Sequence, residues 1–234
     1  DIDKPKWSFG LYADHFFEDH SSMFLLDYDG YGEGTEWNEK KQSRFLLYQM
    51  KDIMLGMELK LKNFSYINNI VAEYVYTKYQ SGPIYHDHTQ LLPDHIGGID
   101  NYYNHHLYTG WQHWGQAIGN PLYISPIYNT DGKIEFKNNR FVAYHIGISG
   151  QPSKSIDYRI LSTWQKGYGT YKRPFPDPRF GFYCMGEVTF RIKKGWGITA
   201  AMALDRGKLT GNNFGMQVTV TKSGLLSKHR TENQ

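Results

Sequence analysis

Through most of the chain apolar residues fall at every second position, the period of a strand whose two faces meet different surroundings. In residues 53–62, Ile53, Leu55, Met57, Leu59 and Leu61 share one face, while Gly56, Glu58, Lys60 and Lys62 share the other. Residues 70–78 set Ile70, Ala72, Tyr74 and Tyr76 against Val71, Glu73, Val75 and Thr77. Residues 141–149 set Val142, Tyr144, Ile146 and Ile148 against Ala143, His145, Gly147 and Ser149. Further on, Ile156, Tyr158, Ile160 and Trp164 oppose Asp157, Arg159, Thr163 and Gln165, and Gly186, Val188, Phe190 and Ile192 oppose Glu187, Thr189 and Arg191. Trp196, Ile198, Ala200, Met202 and Leu204 then oppose Gly197, Thr199, Ala201, Ala203 and Asp205; Phe214, Met216, Val218 and Val220 oppose Gly215, Gln217, Thr219 and Thr221. Weaker strands over 7–13 and 23–28 bring the expected total to about eight or nine. The best helical candidate is 40–50, where Phe45, Leu46, Leu47 and Met50 make a poor stripe.

The connections predicted between these strands alternate: 63–69 is short, 79–140 very long, 150–155 short, 166–182 long, 193–195 short and 207–213 intermediate. Short turns at one end and long loops at the other characterise outer-membrane barrels. The faces agree. The polar face is mostly Gly, Ala, Thr, Ser and Gln with isolated charges, which suits a crowded or water-filled lumen, whereas the outer face of a soluble sheet is rich in Lys and Glu. The apolar face carries Tyr76, Trp164, Trp196 and Phe214 near strand ends, as an interfacial girdle would. About nine residues at roughly 3.3 Å each, tilted about 40°, project to roughly 23 Å, near the apolar band of about 25 Å. The fold class expected is therefore all-β: an antiparallel up-and-down transmembrane β-barrel with long extracellular loops, residues 1–234 forming one barrel region with an insert at 79–140. An eight-strand barrel is filled by its own side chains, so a chain with this insert is expected to be part of a larger barrel.

Composition narrows the function. With 26 Lys and Arg against 23 Asp and Glu, there is no basic excess to neutralise a run of nucleic-acid phosphates. The lone Cys184 excludes an internal disulfide and any multi-cysteine metal site. No apolar run approaches the roughly 20 residues of a spanning helix. The start, residues 1–6, is polar and lacks a leader pattern, so either a leader has been removed or the chain begins part-way into a longer protein.

The chemistry gathers in the insert, which holds His86, His88, His95, His105, His106 and His113, six of the ten histidines. Its many aromatic rings argue for an ordered loop, and loops of this length inside compact proteins are usually functional. His86 and His88 alternate as metal ligands on a strand would, with Asp87, Asp94, His95, His105, His106 and His113 as partners, but no established zinc framework surrounds them. A carbohydrate site is the better match. Sugars stack their C–H faces on Trp and Tyr and pair their hydroxyls with Asp, Asn, His and Arg, so the ligand-binding candidates are Tyr85, His86, Asp87, His88, Tyr102, Tyr103, Trp111, His113 and Trp114. Lys172 and Arg173, in the basic and aromatic stretch 166–182, complete the set. Arg159, Arg191 and Arg206 are expected on the lumen face among Asp157, Glu187 and Asp205, either paired across strands or lining a polar path for an acidic glycan. Neither a nucleophile elbow nor a phosphate-binding loop occurs.

Five strings carry a family resemblance: FFEDHSSMFLLDYDGYGEGTEWN (16–38), TKYQSGPIYHDH (77–88), YYNHHLYTGWQHWGQAIGNPLY (102–123), NNRFVAYHIGISG (138–150) and DRGKLTGNNFGMQVTVTKSG (205–224). Together they resemble the C-terminal half of capsule-assembly Wzi family proteins of the Bacteroidetes type. The resemblance implies an outer-membrane barrel that binds and anchors or organises capsular polysaccharide at the cell surface, without catalysis. The polar tail 227–234 departs from the aromatic terminal strand residue of such barrels. The expectation is a monomer whose partners are surface polysaccharide and the lipid bilayer, with no cofactor and no metal. The alternatives are a carbohydrate-active or metal-dependent surface enzyme using His86, Asp87 and His88, and, more distantly, a passive pore.

Overall fold

The computed structural model describes residues 1–16, 52–80 and 100–224, and the main chain of 26–27, 44–45, 84–85 and 96–97. It is all-β. Nine strands form one sheet: β1 (Ile2–Asp3), β2 (Trp7–His15), β3 (Ile53–Leu61), β4 (Asn69–Tyr76), β5 (Phe141–Ser153), β6 (Ile156–Gly169), β7 (Pro174–Ile192), β8 (Trp196–Gly207) and β9 (Asn213–Lys222). Each pairs antiparallel with its neighbour in the chain, so the topology is a pure meander. Among the described residues no ladder joins β9 to β1. Among the described residues no helix is long and apolar enough to cross a membrane, which has no bearing on crossing by strands.

Tight turns collect at one end: Lys154 and Ser155 join β5 to β6, and residues 193–195 join β7 to β8. In the second turn Lys194 and Gly195 both take positive φ, 62° and 76°, and a Cβ on Gly195 would lie 2.4 Å from the Ser223 carbonyl oxygen. The other end carries the connections 16–52, 77–140, 170–173 and 208–212. The stretch 166–182, expected as a long loop, is instead strand: β6 runs on to Gly169 and β7 begins at Pro174, leaving a four-residue tip. Its prolines and glycines hid the pairing, because Pro174, Pro176 and Pro178 interrupt the period-two signal that side chains would show. Of the strand expected at 23–28 only Leu26–Asp27 lies within the described residues, and it pairs outside the main sheet with Arg44–Phe45. The helical candidate 40–50 otherwise lies outside the described residues.

Register makes the two faces continuous across the sheet. On the outer face Leu55, Tyr74, Tyr144, Trp164 and Phe182 stand in one row over β3 to β7. Tyr74 and Tyr144 meet at 5.3 Å between ring centroids, and Trp164 and Phe182 at 5.4 Å. Below that row lie exposed Ile146, Ile160, Met202, Met216 and Val218, and near the turns Phe190, Ile192 and Trp196. From Phe182 to Ile192 the strand rises roughly 33 Å, which at a tilt of about 40° projects to roughly 25 Å. Arg206 belongs to this outer face, opposite Phe182, and not to the polar face where it was expected; Asp205, opposite Tyr183, occupies the polar one.

The inner face is polar. Tyr12, Gly56, Glu73, His145, Thr163, Tyr183 and Asp205 form one row over β2 to β8. Gly56 is needed there: the Tyr12 ring lies over it, 2.1 Å from where a Cβ would stand, and reaches across β3 to donate to Glu73 at 2.6 Å. Nearer the turns Arg159 pairs with Glu187 at 3.0 Å and Arg191 with Asp157 at 2.7 Å, both between adjacent strands as expected.

Part of the insert packs against the inner face at the loop end. A cavity of about 560 Å³ there is lined by Met54, Glu73, His145, Leu161, Tyr183 and Ala203, side chains of six successive strands, together with Asn120 and Leu122 of the insert. Six strands spaced about 4.8 Å apart meet one such cavity only if the sheet curls around it. Among the described residues the buried apolar cluster is Val75, Phe141 and Ala143 from the sheet with Tyr123 and Phe136 from the insert. Phe141 is fully buried and meets Tyr123 edge-on at 5.1 Å. Phe141→Ala is expected to cost about 3–5 kcal/mol. It should lower the denaturation midpoint followed by tryptophan fluorescence and speed proteolysis within residues 100–140; an unchanged midpoint would show that the insert is anchored elsewhere.

Candidate functional site

The loop end is held by a layer of buried polar side chains. Thr77, one residue past β4, donates its hydroxyl to the Asn139 carbonyl at 2.8 Å and accepts the Phe141 amide at 3.1 Å. Gln80, fully buried, donates to the Thr77 and Asn139 carbonyls at 2.7 and 3.0 Å and accepts the Tyr102 amide at 2.8 Å. Asn139 donates to Asn101 Oδ1 and the Tyr102 carbonyl. Asp52 accepts the Tyr79 amide at 3.0 Å and the Tyr102 hydroxyl at 2.8 Å. Gln165 on β6 donates to the Leu122 carbonyl at 2.9 Å, tying the insert to the sheet. Buried amides and hydroxyls with partners on both sides fix one geometry, since breaking any of them strands a desolvated group.

The insert is also clasped within itself. The Asn104 amide exchanges hydrogen bonds with the Phe136 main chain, 2.9 Å to its carbonyl and 2.8 Å from its amide. Tyr103 stacks flat on Tyr123 with centroids 3.7 Å apart. Burial pushes both phenols above their ordinary value, so they stay protonated and act as packing and hydrogen-bonding groups.

Among the described residues two neighbouring clefts at this end share part of their lining. The first, about 630 Å³, is lined by Asn101, Tyr102, Tyr103, Tyr108, Trp111 and Asn120 among others. The second, about 590 Å³, lies between the insert and the tip of the β6–β7 hairpin, and its lining includes His105, Tyr108, Lys137, Lys172, Arg173 and Arg179. Asn101, Asn104, His105 and Tyr108 border both. Tyr108 is half exposed, with the His105 ring stacked on it at 4.1 Å. In the second cleft Arg173 pairs with Glu135 at 2.6 Å and Lys137 with Asp131 at 2.7 Å. Arg179 lies over the Phe175 ring at 4.1 Å.

Of the residues expected from sequence, Tyr102 and Tyr103 carry the fold and also line the first cleft, which Trp111 joins with its side chain more than half exposed. His113 and Trp114 stand together on a small hairpin, Gln112–His113 with Gln116–Ala117, and line neither cleft. Lys172 and Arg173 border the second cleft, and Tyr85, His86, Asp87 and His88 lie outside the described residues save for the main-chain pairing of Tyr85 with Ile96. Sequence reasoning gave His105 only as a possible metal partner, missed Tyr108, Lys137 and Phe175, and gave Arg179 only a general place in a basic stretch. The spacing of His105 and Tyr108 was the available signal; the approach of Lys137 to the hairpin tip had none, because it is a tertiary contact.

These clefts offer exposed ring faces beside amides and cations, which suits recognition of a hydroxyl-rich, ring-shaped ligand. Among the described residues no three His, Cys, Asp or Glu side chains converge as metal ligands do. No family model matches the chain, and neither the curated proteins nor the solved structures contain a match.

The hydrogen bond from Lys137, helped by the Lys133 amide, holds the Asp131 carboxyl below the usual carboxylate range. A lowered value means that the contact persists through neutral pH and is lost only as the pH falls through that value. In a carboxyl NMR titration, Lys137→Met is expected to move the Asp131 midpoint upward toward the ordinary range; an unmoved midpoint would show that the pair is not formed in solution.

Proposed function

We propose that the chain is a wall segment of an outer-membrane β-barrel, and that its loop end binds surface polysaccharide without cleaving it. The observation that carries this is the inverted sheet: a continuous apolar face turned outward, a polar face turned inward, and the insert packed at the single end where the large connections gather. An apolar patch of that extent marks a surface that meets another apolar phase, and the aromatic row at Tyr74, Tyr144, Trp164 and Phe182 suits a headgroup boundary. A barrel in lipid has no free edge, so this reading requires β1 and β9 to pair with further strands. The two clefts supply the binding half of the reading through their ring faces and polar edges. The resemblance of the quoted strings to the capsule-assembly Wzi family points the same way, toward anchoring or organising capsular polysaccharide at the outer surface.

The membrane half is tested by charge placement. Met202→Arg on the outer face at mid-strand is expected to cost about 2–4 kcal/mol and to impair outer-membrane assembly, whereas Ala201→Arg, next to Glu187 on the inner face, should assemble normally. Equal assembly of the two would sink the lipid-facing assignment.

The binding half is tested by titrating detergent-solubilised protein with capsular polysaccharide and sizing the polymer afterwards. Retention with unchanged chain length is expected, as is a roughly tenfold loss of affinity in the Trp111→Ala variant; Trp111 lines the first cleft and is more than half exposed, so folding should be untouched. Shortened polymer would replace this reading with an enzymatic one.

A further inference from the structure

A third cleft, about 730 Å³, continues from the second: it too is lined by Lys137, Phe175 and Arg179, and it extends toward Tyr128, Asn129 and Asn213. The three shared residues form a saddle between the two clefts. On one side Tyr108 presents its ring, backed by His105. On the other Tyr128 is 77% exposed at the end of the short 3-10 turn Pro126–Tyr128, with its amide bonded to the Ser125 carbonyl at 3.1 Å. A ring platform thus lies on either side of a cationic saddle, an arrangement that fits a linear chain of sugars and not a single small ligand.

We propose that Arg179 reads the carboxylate of an acidic sugar, a uronic acid or its like, while neighbouring sugars of the same chain lie on Tyr108 and Tyr128. This rests on the polysaccharide reading above and narrows it to a glycan class. Two of the cations in the second cleft are already matched, Lys137 by Asp131 and Arg173 by Glu135. That leaves Lys172 and Arg179 in surplus, and among the described residues neither has a carboxylate partner within ion-pair distance. Lys172 stands at the hairpin tip, whereas Arg179 sits on the saddle. The Phe175 ring, 4.1 Å from the Arg179 guanidinium carbon, supports one face of the cation and leaves its in-plane N–H donors free. A planar fork held in that way matches a carboxylate bidentately, which a lysine ammonium cannot do. Asp205 lines the far part of the third cleft and disfavours a second acid there, so the acidic sugar is positioned at the saddle and a neutral one beyond it.

The test uses the full chain in detergent and the producing cell's own surface polysaccharide in three forms: native, carboxyl-reduced and dephosphorylated. Carboxyl reduction is expected to weaken binding roughly tenfold or more. Arg179→Gln should lose the same factor toward the native polymer and nothing toward the reduced one. Arg179 is exposed, so the variant should fold; heat-modified gel mobility and circular dichroism identical to the parent confirm this. Tyr128→Ala should weaken the native and reduced forms alike. If carboxyl reduction leaves affinity unchanged, if dephosphorylation causes the loss instead, or if Arg179→Gln binds the native polymer as the parent does, the acidic-sugar assignment is overturned and the polysaccharide reading stands. If the parent binds none of the three forms, both are overturned.

Discussion

Everything in this molecule follows from an antiparallel ladder whose alternation is turned inside out. Because side chains alternate strictly along a strand, a slip of one residue in any pairing would exchange the faces of that strand. The rows Tyr74, Tyr144, Trp164, Phe182 and Glu73, His145, Thr163, Tyr183 exist only because four adjacent strands keep one register. A soluble sheet would hide the first row and wet the second. Here Tyr144 and Trp164 of the first row are exposed and the second row faces the curl, so among the described residues the buried apolar cluster lies at the loop end, where the insert supplies Tyr123 and Phe136.

That placement explains why polar groups carry so much of the joint between sheet and insert. The inner face offers Thr, Gln, Asn and Asp where another fold would offer Leu or Val, and a segment can settle on it only by satisfying their donors and acceptors. Gln165 does this from the inner face, and Thr77, Gln80 and Asn139, where the insert leaves and rejoins the sheet, do it almost entirely through main-chain partners. Residues 100–140 of the insert are therefore fixed in backbone position while Trp111, Trp114 and Tyr128 stay exposed. A binding surface profits from that arrangement, since ring platforms held by a rigid backbone lose little entropy when a ligand arrives. The ion pairs of the inner face contribute less. Arg159 and Arg191 are each about half exposed, and pairs so accessible add little stability; they balance charge along the inner face.

Much of this was legible in advance, and the failures are instructive. Period two located eight of the nine main strands, that over 7–13 more weakly, and outer faces from residues such as Leu55, Ile146 and Met202, because the contrast between the two environments is written into every second side chain. It failed over 166–182, where glycine and proline carry no face signal although the main chain still pairs. It also misplaced Arg206, which stands opposite Phe182 on the outer row, one residue before β8 ends at Gly207. In the insert, Trp111, Tyr102 and Tyr103 were identified by type, but type could not separate a tyrosine stacked into the core, as Tyr103 is, from one with an open face, as Tyr108 and Tyr128 have.

The sequence by itself determined the all-β class, the meander, the two unlike faces and the single end at which the large connections gather, because each of these depends on local alternation and spacing. Only the tertiary structure decided how the insert meets the sheet, which rings are buried, which cations are already paired, and that Arg179, Phe175 and Lys137 share one saddle. Those residues are separated by up to 42 positions along the chain. Their meeting is set by the curl of the sheet and by a layer of buried hydrogen bonds, and neither leaves a periodic trace in the order of the amino acids.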